Sequence, residues 1–491
     1  MIIEILGAKL LAPYLGTSHF VWTAQITVTL LALSCGYFSG GYFAQRARNI
    51  AYLYFFILVA SAYLVIMTPF AQTIAFKALS LGLGPATIIT SSILFFVPLC
   101  LLATSVPYMI SWITGTEDSI NSSVGKLTAI STIGSLIGTL LISYYLLPVI
   151  PNSFSLYGTS AALTLLAVSF FLLSTEKRLH KTFMVILAGF ILSYGYTAAA
   201  KAVVDNFNIV KLIYNRNSNY GLIQVLEDEP GSIRLLLNDY LIQNQYDLKA
   251  HKSLSVFSYV LENLMLSYRP KTESVLCAGM GAGMIPMSLN KKGIAVDIVE
   301  INPVIIEAAE KLFEFDSSRF NITVNDARYF YSRTAQRYDA VILDAFNGDS
   351  FPAHLLTKEA FEQVKNIMNP DGIVLMNTFG DFDSGDSYFT GSVYRTLKAV
   401  FKNVSIHSLK NDYKGVYFCA SDGSLNKNFK LVNFKEVHYK QHENVQKIFS
   451  SSDAPPTGGT ILTDDFNPLE FYTAKKIGSL RKNFVRQIKA L

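Results

Sequence analysis

The chain has 491 residues, of which 51% are hydrophobic, and a formal net charge of +5. That charge is too small for this length to predict nucleic-acid binding, and the basic residues form no long run. Only 12 charged residues precede Lys201, about 6% of that part, whereas about 22% of the residues that follow are charged. Composition therefore predicts a lipid-soluble part followed by a globular part.

Cysteine and histidine patterns predict neither a disulfide framework nor a metal site. The four cysteines are far apart and two lie in apolar runs, so we interpret them as small buried side chains. His438 and His442 have helical i, i+4 spacing, but no third ligand is nearby in the sequence. We predict no metal cofactor.

The first part contains apolar segments near the length that crosses a bilayer core, about 20 residues. A short segment at 1–15 carries Glu4 and Lys9 and is either a first helix or an interfacial segment. We therefore predict a multi-span α-helical membrane domain over 1–204 with the lipid bilayer as its partner. Its six long apolar segments are 21–43, 48–70, 85–112, 126–148, 153–174 and 181–200.

Small residues recur inside two of these segments and predict close helix packing. They are Gly36, Gly40 and Gly41 in one segment, and Gly134 and Gly138 in another.

Basic residues in the short loops predict the orientation of an inner-membrane protein. The positive-inside rule places such residues in the cytoplasm. The last span then leaves the globular part outside the cytoplasm, which is awkward for an enzyme that uses a cytosolic nucleotide, so the side of the membrane stays open. The basic residues that share one side are Arg46, Arg48, Lys126, Lys177, Arg178 and Lys181.

A short β region opens the globular part. Alternating apolar runs over 217–243, with a turn at Pro230-Gly231, predict two or three antiparallel strands. A helical stretch near 250–267 follows. We assign 205–268 to a small antiparallel β domain with a linking helix.

From residue 274 onward, strands and helices alternate and predict an open Rossmann-like α/β sheet over 269–491. The predicted strands are 274–278, 295–299, 321–324 and 338–343. Gly279, Gly281 and Gly283 directly follow the first strand, where glycine lets the backbone turn sharply and approach a ligand.

Three acids, Glu300, Asp326 and Asp344, stand at or just beyond the carboxyl ends of the next strands. In an open α/β sheet these ends face the ligand crevice. The glycine spacing departs from the dinucleotide-binding fingerprint, and no Lys-Ser/Thr pair follows for a nucleoside triphosphate. The acids therefore favour a cationic nucleoside, S-adenosylmethionine or its decarboxylated form. Glu300 would take the ribose hydroxyls, Asp326 the adenine amine, and Asp344 would lie near the cation.

Longer motifs carry a resemblance over nearly the whole chain. They are "EILGAKLLAPYLGTS", "GYFSGGYFAQR", "LNDYLIQ", "CAGMGAGM", "DIVEINPVIIEAA", "NDARYF", "YDAVILDAF", "FPAHLLTKEAF" and "LTDDFNP". Together they resemble spermidine synthase-like aminopropyltransferases, in the form fused to an N-terminal membrane domain. The resemblance implies a small β domain, a methyltransferase-type Rossmann domain, and transfer of an aminopropyl group from decarboxylated S-adenosylmethionine to an amine. The family is often dimeric, so a homodimer is expected.

The resemblance also implies roles for single residues. The position of the family's catalytic aspartate is Asp344, a carboxylate that removes or shares the proton of the acceptor amine. The adenosyl pocket is lined by the glycine loop, Glu300, Asp326 and Ala327. No metal is needed, because the sulfonium itself makes the adjacent carbon electrophilic.

In the acceptor region, the resemblance implies a contact from Gln243 and aligns Asn347 with a second acceptor-site acid of the family. Asp349, Asp464 and Asp465 are candidates to replace that acid, and we predict contacts from Gln243, Asn347 and Asp465. Soluble polyamine synthases carry a second aspartate where this chain has Asn347, and a glutamine where it has Gly221. They also carry Tyr-His-Glu where this chain has Ala-His-Lys at 250–252. These departures argue against tight binding of a diamine.

Two other functions remain open. The same pocket would serve a methyltransferase that uses unmodified S-adenosylmethionine. Alternatively, the chain is a non-catalytic membrane transporter or sensor whose globular part binds a polyamine or a nucleoside.

Overall fold

The computed structural model describes fourteen stretches of the chain: 1–16, 18–46, 49–113, 120–147, 152–173, 186, 194, 210–228, 231–346, 351–379, 387–409, 415–426, 433–450 and 456–472. The chain divides at residue 209 into two compact units. We call them the helical unit, whose described residues lie within 1–194, and the α/β unit, whose described residues lie within 210–472.

The helical unit is built from nine α-helices in its described residues. They are α1 Ile2–Leu15, α2 His19–Arg46, α3 Ala51–Met67, α4 Ala71–Ala78, α5 Leu83–Ser91, α6 Val97–Ala103, α7 Ser105–Ile113, α8 Ile120–Leu140 and α9 Asn152–Leu173. Short helical turns join several of them into longer rods, and two of these turns, Ser92–Phe96 and Leu141–Leu146, are π-helical.

Five of these rods are long and apolar enough to cross a membrane, judged by length and composition among the described residues. They are His19–Arg46, Ala51–Leu81, Leu83–Ile113, Ser122–Leu146 and Phe154–Phe171. They coincide with the first five predicted segments. The predicted segment 181–200 lies outside the described residues except for Ile186 and Tyr194. The N-terminal segment is a helix, and Leu6, Leu11 and Leu15 on it are fully buried.

Close packing at glycine occurs at some of the predicted positions. A Cβ on Gly36 would lie 2.3 Å from the carbonyl oxygen of Cys100, so α2 and α6 touch backbone to backbone there. A Cβ on Gly40 would likewise lie 2.8 Å from the backbone carbonyl oxygen of Thr104. Gly41 and Gly134, by contrast, have nothing within 4 Å of an added Cβ. A Cβ on Gly138 would lie 2.8 Å from the side chain of Ile2 on α1. The prediction is therefore confirmed at Gly36, Gly40 and Gly138 but not at Gly41 and Gly134.

The α/β unit begins with a five-stranded antiparallel sheet in chain order. Its strands are β1 Val210–Ser218, β2 Gly221–Asp228, β3 Ile233–Asn238, β4 Leu241–Asp247 and β5 Lys252–Ser253. Two or three strands were predicted. Strand β1 was not predicted because polar residues dominate its second half. Strand β5 was not predicted because two residues are too few to show a periodicity.

The second sheet has seven strands in the order β11-β12-β10-β9-β6-β7-β8. Only β12 is antiparallel to its neighbours. The strands are β6 Ser274–Ala278, β7 Ala295–Glu300, β8 Asn321–Val324, β9 Tyr338–Leu343, β10 Met368–Phe379, β11 Asn403–Ser408 and β12 Gly415–Ser421. The first four confirm the predicted strands.

Helices flank this sheet, as a parallel sheet requires. They are α10 Val256–Tyr268, α11 Met284–Lys291, α12 Pro303–Leu312, α13 Ala327–Arg333, α14 Lys358–Asn366, α15 Ser387–Val400 and α16 His442–Ser450. β6 lies between β7 and β9, so the strand order reverses there. In open α/β sheets, the crevice beyond the carboxyl ends at such a point is where ligands bind.

Candidate functional site

The loop after β6 is shaped by its protein neighbours. A Cβ on its first glycine would lie 2.3 Å from the carbonyl oxygen of Asp344, on the second 2.2 Å from Oδ1 of Asn244, and on the third 2.3 Å from the ring of Phe315. All three have positive φ, which side chains disfavour. Protein packing therefore already demands glycine at each position, apart from any ligand. The three are Gly279, Gly281 and Gly283.

Glu300 ends β7 and holds this loop in place. Its Oε2 accepts a hydrogen bond from the backbone N–H of Met280 at 3.1 Å, and its Oε1 accepts one from Asn302 at 2.9 Å. The side chain is buried, and burial raises the pKa of its carboxyl, with a further rise from the charge of Asp344. Each oxygen keeps acceptor capacity beyond its one backbone bond.

Asp344 follows β9 at the switch point, directly beside Glu300. Its backbone N–H donates to the carbonyl oxygen of Ala278 at 2.9 Å, which fixes the residue against β6. Burial raises the pKa of its carboxyl from 3.8 to about 6. The group is thus ionised at neutral pH, yet it is a stronger base than an exposed aspartate.

Asn377 on β10 is a partner of Asp344 that the sequence did not reveal. Its Nδ2 donates to Oδ1 of Asp344 at 2.9 Å, and this bond lowers the pKa of Asp344 against the effect of burial. Tyr417 on β12 pairs with Asn377 and is fully buried. Burial raises the pKa of Tyr417, and the charge of Asp344 raises it further. Asn377 lies 33 residues after Asp344, so only strand order brings them together.

Asp326 caps the N-terminus of α13, with its Oδ1 accepting from the backbone N–H of Tyr329 at 3.0 Å. Its Oδ2 is 2.9 Å from Nε2 of His354. Ala327, the first residue of α13, is buried beside it. The backbone N–H of Asn325, the residue before Asp326, donates to the carbonyl oxygen of Glu300. Glu300 and Asp326 therefore lie at the ends of adjacent strands.

The C-terminal segment 462–467 packs against this side of the site. Arg328 forms a two-bond ion pair with Asp464, and Arg328 also donates to the carbonyl oxygen of His354 at 3.1 Å. The bond from Arg328 lowers the pKa of Asp464. Asp465, the predicted acceptor contact, is exposed beside it.

Gln243 is the extra residue of a β-bulge in β4. Leu236 pairs with Asn244 and Leu237 pairs with Ile242, so Gln243 is skipped. Bulges re-aim side chains and are common next to active sites. Asn244 uses its Oδ1 to accept from Ala282 in the glycine loop at 2.9 Å, which attaches β4 to the loop. Asn347, the remaining predicted acceptor contact, lies outside the described residues.

Two departures from the polyamine synthase pattern have structural counterparts. Gly221 has φ 125°, and a Cβ there would lie 2.2 Å from Oδ1 of Asn238. A residue with a side chain, such as glutamine, therefore does not fit in this conformation. His251 turns to Glu314, whose carboxyl oxygens are 2.9 and 3.0 Å from its Nδ1. Neighbouring protein groups therefore occupy the space at Gly221 and bind the side chain of His251.

Of the predicted residues, the glycine loop, Glu300, Asp326 and Asp344 lie at the carboxyl ends of β6, β7, β8 and β9. Among the described residues, no group of three or more His, Cys, Asp or Glu side chains is arranged to hold a metal ion.

Residues 256–410 match the model of the spermine/spermidine synthase domain. The match includes the glycine loop, Glu300, Asp326 and Asp344. This part of the chain is therefore similar to the spermine/spermidine synthase domain.

Individual relatives agree with the synthase domain. Over 157 residues, 30% of this chain, it is 35% identical to a polyamine aminopropyltransferase of Vibrio vulnificus and covers 52% of that protein. Over 258 residues, 48% of this chain, it is 25% identical to an N-terminal histidine N-methyltransferase of Emericella nidulans and covers 44% of it. The chain thus spans about half the length of these relatives.

One solved structure is similar to the chain at the level of the fold. It is the crystal structure of a probable spermidine synthase from Corynebacterium glutamicum, with a TM-score of 0.42 and 16% identity over 52% of this chain and 96% of that one.

Proposed function

We propose that the protein is an aminopropyltransferase that transfers an aminopropyl group from decarboxylated S-adenosylmethionine to an amine. The observation that carries the proposal is Asp344, a carboxylate at the switch point of a spermidine synthase domain with its pKa raised to about 6. An acceptor amine is protonated at neutral pH and cannot attack carbon. Asp344 is ionised at that pH and basic enough to remove or share the amine's proton.

The residues around the crevice fit such a donor. Glu300 keeps acceptor capacity on both oxygens for ribose hydroxyls, and Asp326 with Ala327 lies on the next strand end, where the adenine would bind. The negative charges of Glu300 and Asp344 suit a sulfonium cation. When bound, the donor supplies an electrophilic methylene carbon beside the positive sulfur.

For the acceptor side, we propose contacts from Gln243, Asn347 and Asp465. The position of Gln243 supports this proposal, because its bulge lies next to Asn244, which holds the glycine loop. The closed position at Gly221 and the His251–Glu314 pair favour an acceptor other than a tightly held diamine.

We further propose that the helical unit is embedded in the inner membrane and that the protein is a homodimer. Five rods of sufficient length and apolarity support the membrane proposal. Protease digestion of sealed vesicles would determine on which side the α/β unit lies. Light scattering of the detergent-solubilised chain would measure the oligomeric state.

Calorimetry on the full chain in detergent tests the proposed reaction. We would titrate decarboxylated S-adenosylmethionine, S-adenosylmethionine and methylthioadenosine, with Asp326→Ala as the control that weakens adenosyl binding. Selective binding of the decarboxylated donor, followed by release of methylthioadenosine with an amine, is the expected result.

Methyl transfer is the second candidate, because a relative named as a histidine N-methyltransferase matches 48% of this chain. Preference for the carboxylated donor would favour it. Binding of none of the three compounds would contradict both reactions and leave a membrane transporter or sensor.

A further inference from the structure

Among the described residues of the helical unit, eight polar side chains are buried without a hydrogen-bond partner. Four of them, Ser18, Thr139, Ser155 and Ser160, are single hydroxyls elsewhere in the unit. The other four lie on the contacting helices α2 and α5, and they are Gln25, with both its Oε1 and Nε2, and the hydroxyls of Thr29, Thr90 and Ser91. None of the four on α2 and α5 exceeds 3% exposure. A buried amide or hydroxyl without a partner destabilises a fold, since it has lost its bonds to water and gained none.

Other hydroxyls of the same unit are paired. Ser61 donates to the carbonyl of Ser160 and bonds the hydroxyl of Thr164, both at 2.6 Å. Thr87 and Thr104 bond back to carbonyls of their own helices at 2.7 Å. The helical unit therefore holds both paired and unpaired buried hydroxyls, and the region on α2 and α5 differs in having four unpaired side chains on two contacting helices.

The unpaired groups on α2 and α5 converge on one region. Gln25 and Thr29 are one turn apart on α2, which packs along α5, and Ser91 ends α5. The position of a Cβ on Gly7 is 2.8 Å from Nε2 of Gln25 and 3.0 Å from the ring of Phe95, one turn beyond Ser91. The Gln25 amide thus lies against α1 and beside the polar end of α5.

The backbone at this region is irregular. The turn Ser92–Phe96, directly after Ser91, is π-helical. Pro98 explains the widening, because it has no N–H and its ring crowds the carbonyl of Leu94, four residues earlier. π-Helical turns occur often at functional sites.

We propose that Gln25, Thr29, Thr90 and Ser91 form an internal polar site that binds a small uncharged molecule able to donate and accept hydrogen bonds. Amides and alcohols have this chemistry, and water is the smallest such molecule. All four side chains are uncharged and carry donors together with acceptors. A charged ligand would be buried without a countercharge from them, at a large cost. The site lies wholly in the helical unit and does not depend on the proposed reaction.

Cysteine accessibility tests the site in the full chain in detergent. In a Cys35→Ser, Cys100→Ser background, we would compare Thr29→Cys with Val28→Cys, a buried apolar neighbour on the same helix. A thiol in a dry apolar core ionises poorly and is inert, whereas a hydrated thiol reacts. We expect methyl methanethiosulfonate to modify Thr29→Cys at least about tenfold faster than Val28→Cys.

Added propionamide or glycerol then separates the occupants. Slower modification of Thr29→Cys in their presence identifies an amide or alcohol site, and an unchanged fast rate identifies water. Equally slow modification of both cysteines would overturn the proposal, as would protection by ethylammonium alone.

The direction of a stability change gives an independent test. Gln25→Met keeps a similar volume but removes the amide. If the site binds a polar molecule, the melting temperature falls, because the ligand loses its partner. A rise would show that the amide is buried dry and would contradict the proposal. Ser61→Ala, which removes a paired hydroxyl, provides the reference decrease.

Discussion

Buried polar side chains at the candidate functional site and on α2 and α5 of the helical unit differ in whether they have hydrogen-bond partners. In the α/β unit, Glu300 binds two backbone N–H groups, Asn244 binds a third, and Asn377 binds Asp344. In the helical unit, Gln25 and its neighbours have no such partner among the described residues. Strand ends and loops leave backbone groups free for side chains, whereas helices satisfy their own backbone. A hydroxyl inside helices can still bond a carbonyl of its own helix, as Thr87 does, but an amide such as Gln25 needs another side chain or a ligand for its full set of hydrogen bonds.

Glycine, in contrast, has the same steric role in both units. An added Cβ would lie 2.3 Å from a carbonyl oxygen at Gly36 in α2 and at Gly279 after β6. The difference is backbone conformation, because Gly279 also has φ 86°. Close packing at glycine is thus common to both units, whereas the partners of buried polar groups differ between the candidate functional site and the region on α2 and α5.

The largest expected effect is loss of transfer in Asp344→Asn. Removing the base should lower kcat by about 10²–10⁴-fold, the usual contribution of a general base. Donor affinity should change by only a few-fold, as calorimetry would show. A variant that retains more than half of the wild-type rate would contradict the assignment of the α/β unit as catalytic.

Glycine substitution tests the packing comparison. Gly36→Ala should destabilise the helical unit by about 1–3 kcal/mol through overpacking, while Gly41→Ala on the same helix has open space and should not. Gly279→Ala should cost more than Gly36→Ala, because it adds left-handed strain. Thermal melts of the detergent-solubilised chain would measure these changes, and equal effects at Gly36 and Gly41 would refute the helix contact.

The pH dependence tests how the α/β unit tunes its base. Since the pKa of Asp344 is raised to about 6 and its ionised form is the base, kcat/KM should rise with pH and level off above about 6. The bond from Asn377 lowers this pKa, so Asn377→Leu should move the rising limb to higher pH. Thr378 lies next to Asn377 on β10 and donates to the carbonyl oxygen of Val416 on β12, so Thr378→Val is the control that should leave the rising limb in place.

The smallest effect is expected at His354. Its contact with Asp326 is partly exposed, and such pairs contribute about 0–1 kcal/mol. His354→Ala should therefore change donor affinity by less than about fivefold, whereas Asp326→Ala should weaken it more. Calorimetric dissociation constants for both variants would check this order, and a larger loss at His354 would make it a direct contact.

Local sequence pattern determined the elements and the ends at which the acids stand. Apolar runs of four to six residues, each followed by glycine or an acid, predicted four strands of the second sheet, because buried parallel strands are continuously apolar. The same pattern placed Glu300, Asp326 and Asp344 on one edge. The five apolar rods were equally evident from hydropathy alone.

Tertiary structure alone decided which side chains meet. Asn377 reaches Asp344 because β10 lies beside β9, His354 reaches Asp326 through a loop, and Gln243 turns at a bulge. The convergence around Gln25 likewise depends on how α1, α2 and α5 pack. Periodicity shows which face of an element is buried but not its register or its neighbour, because those are set by contacts between residues far apart in the chain.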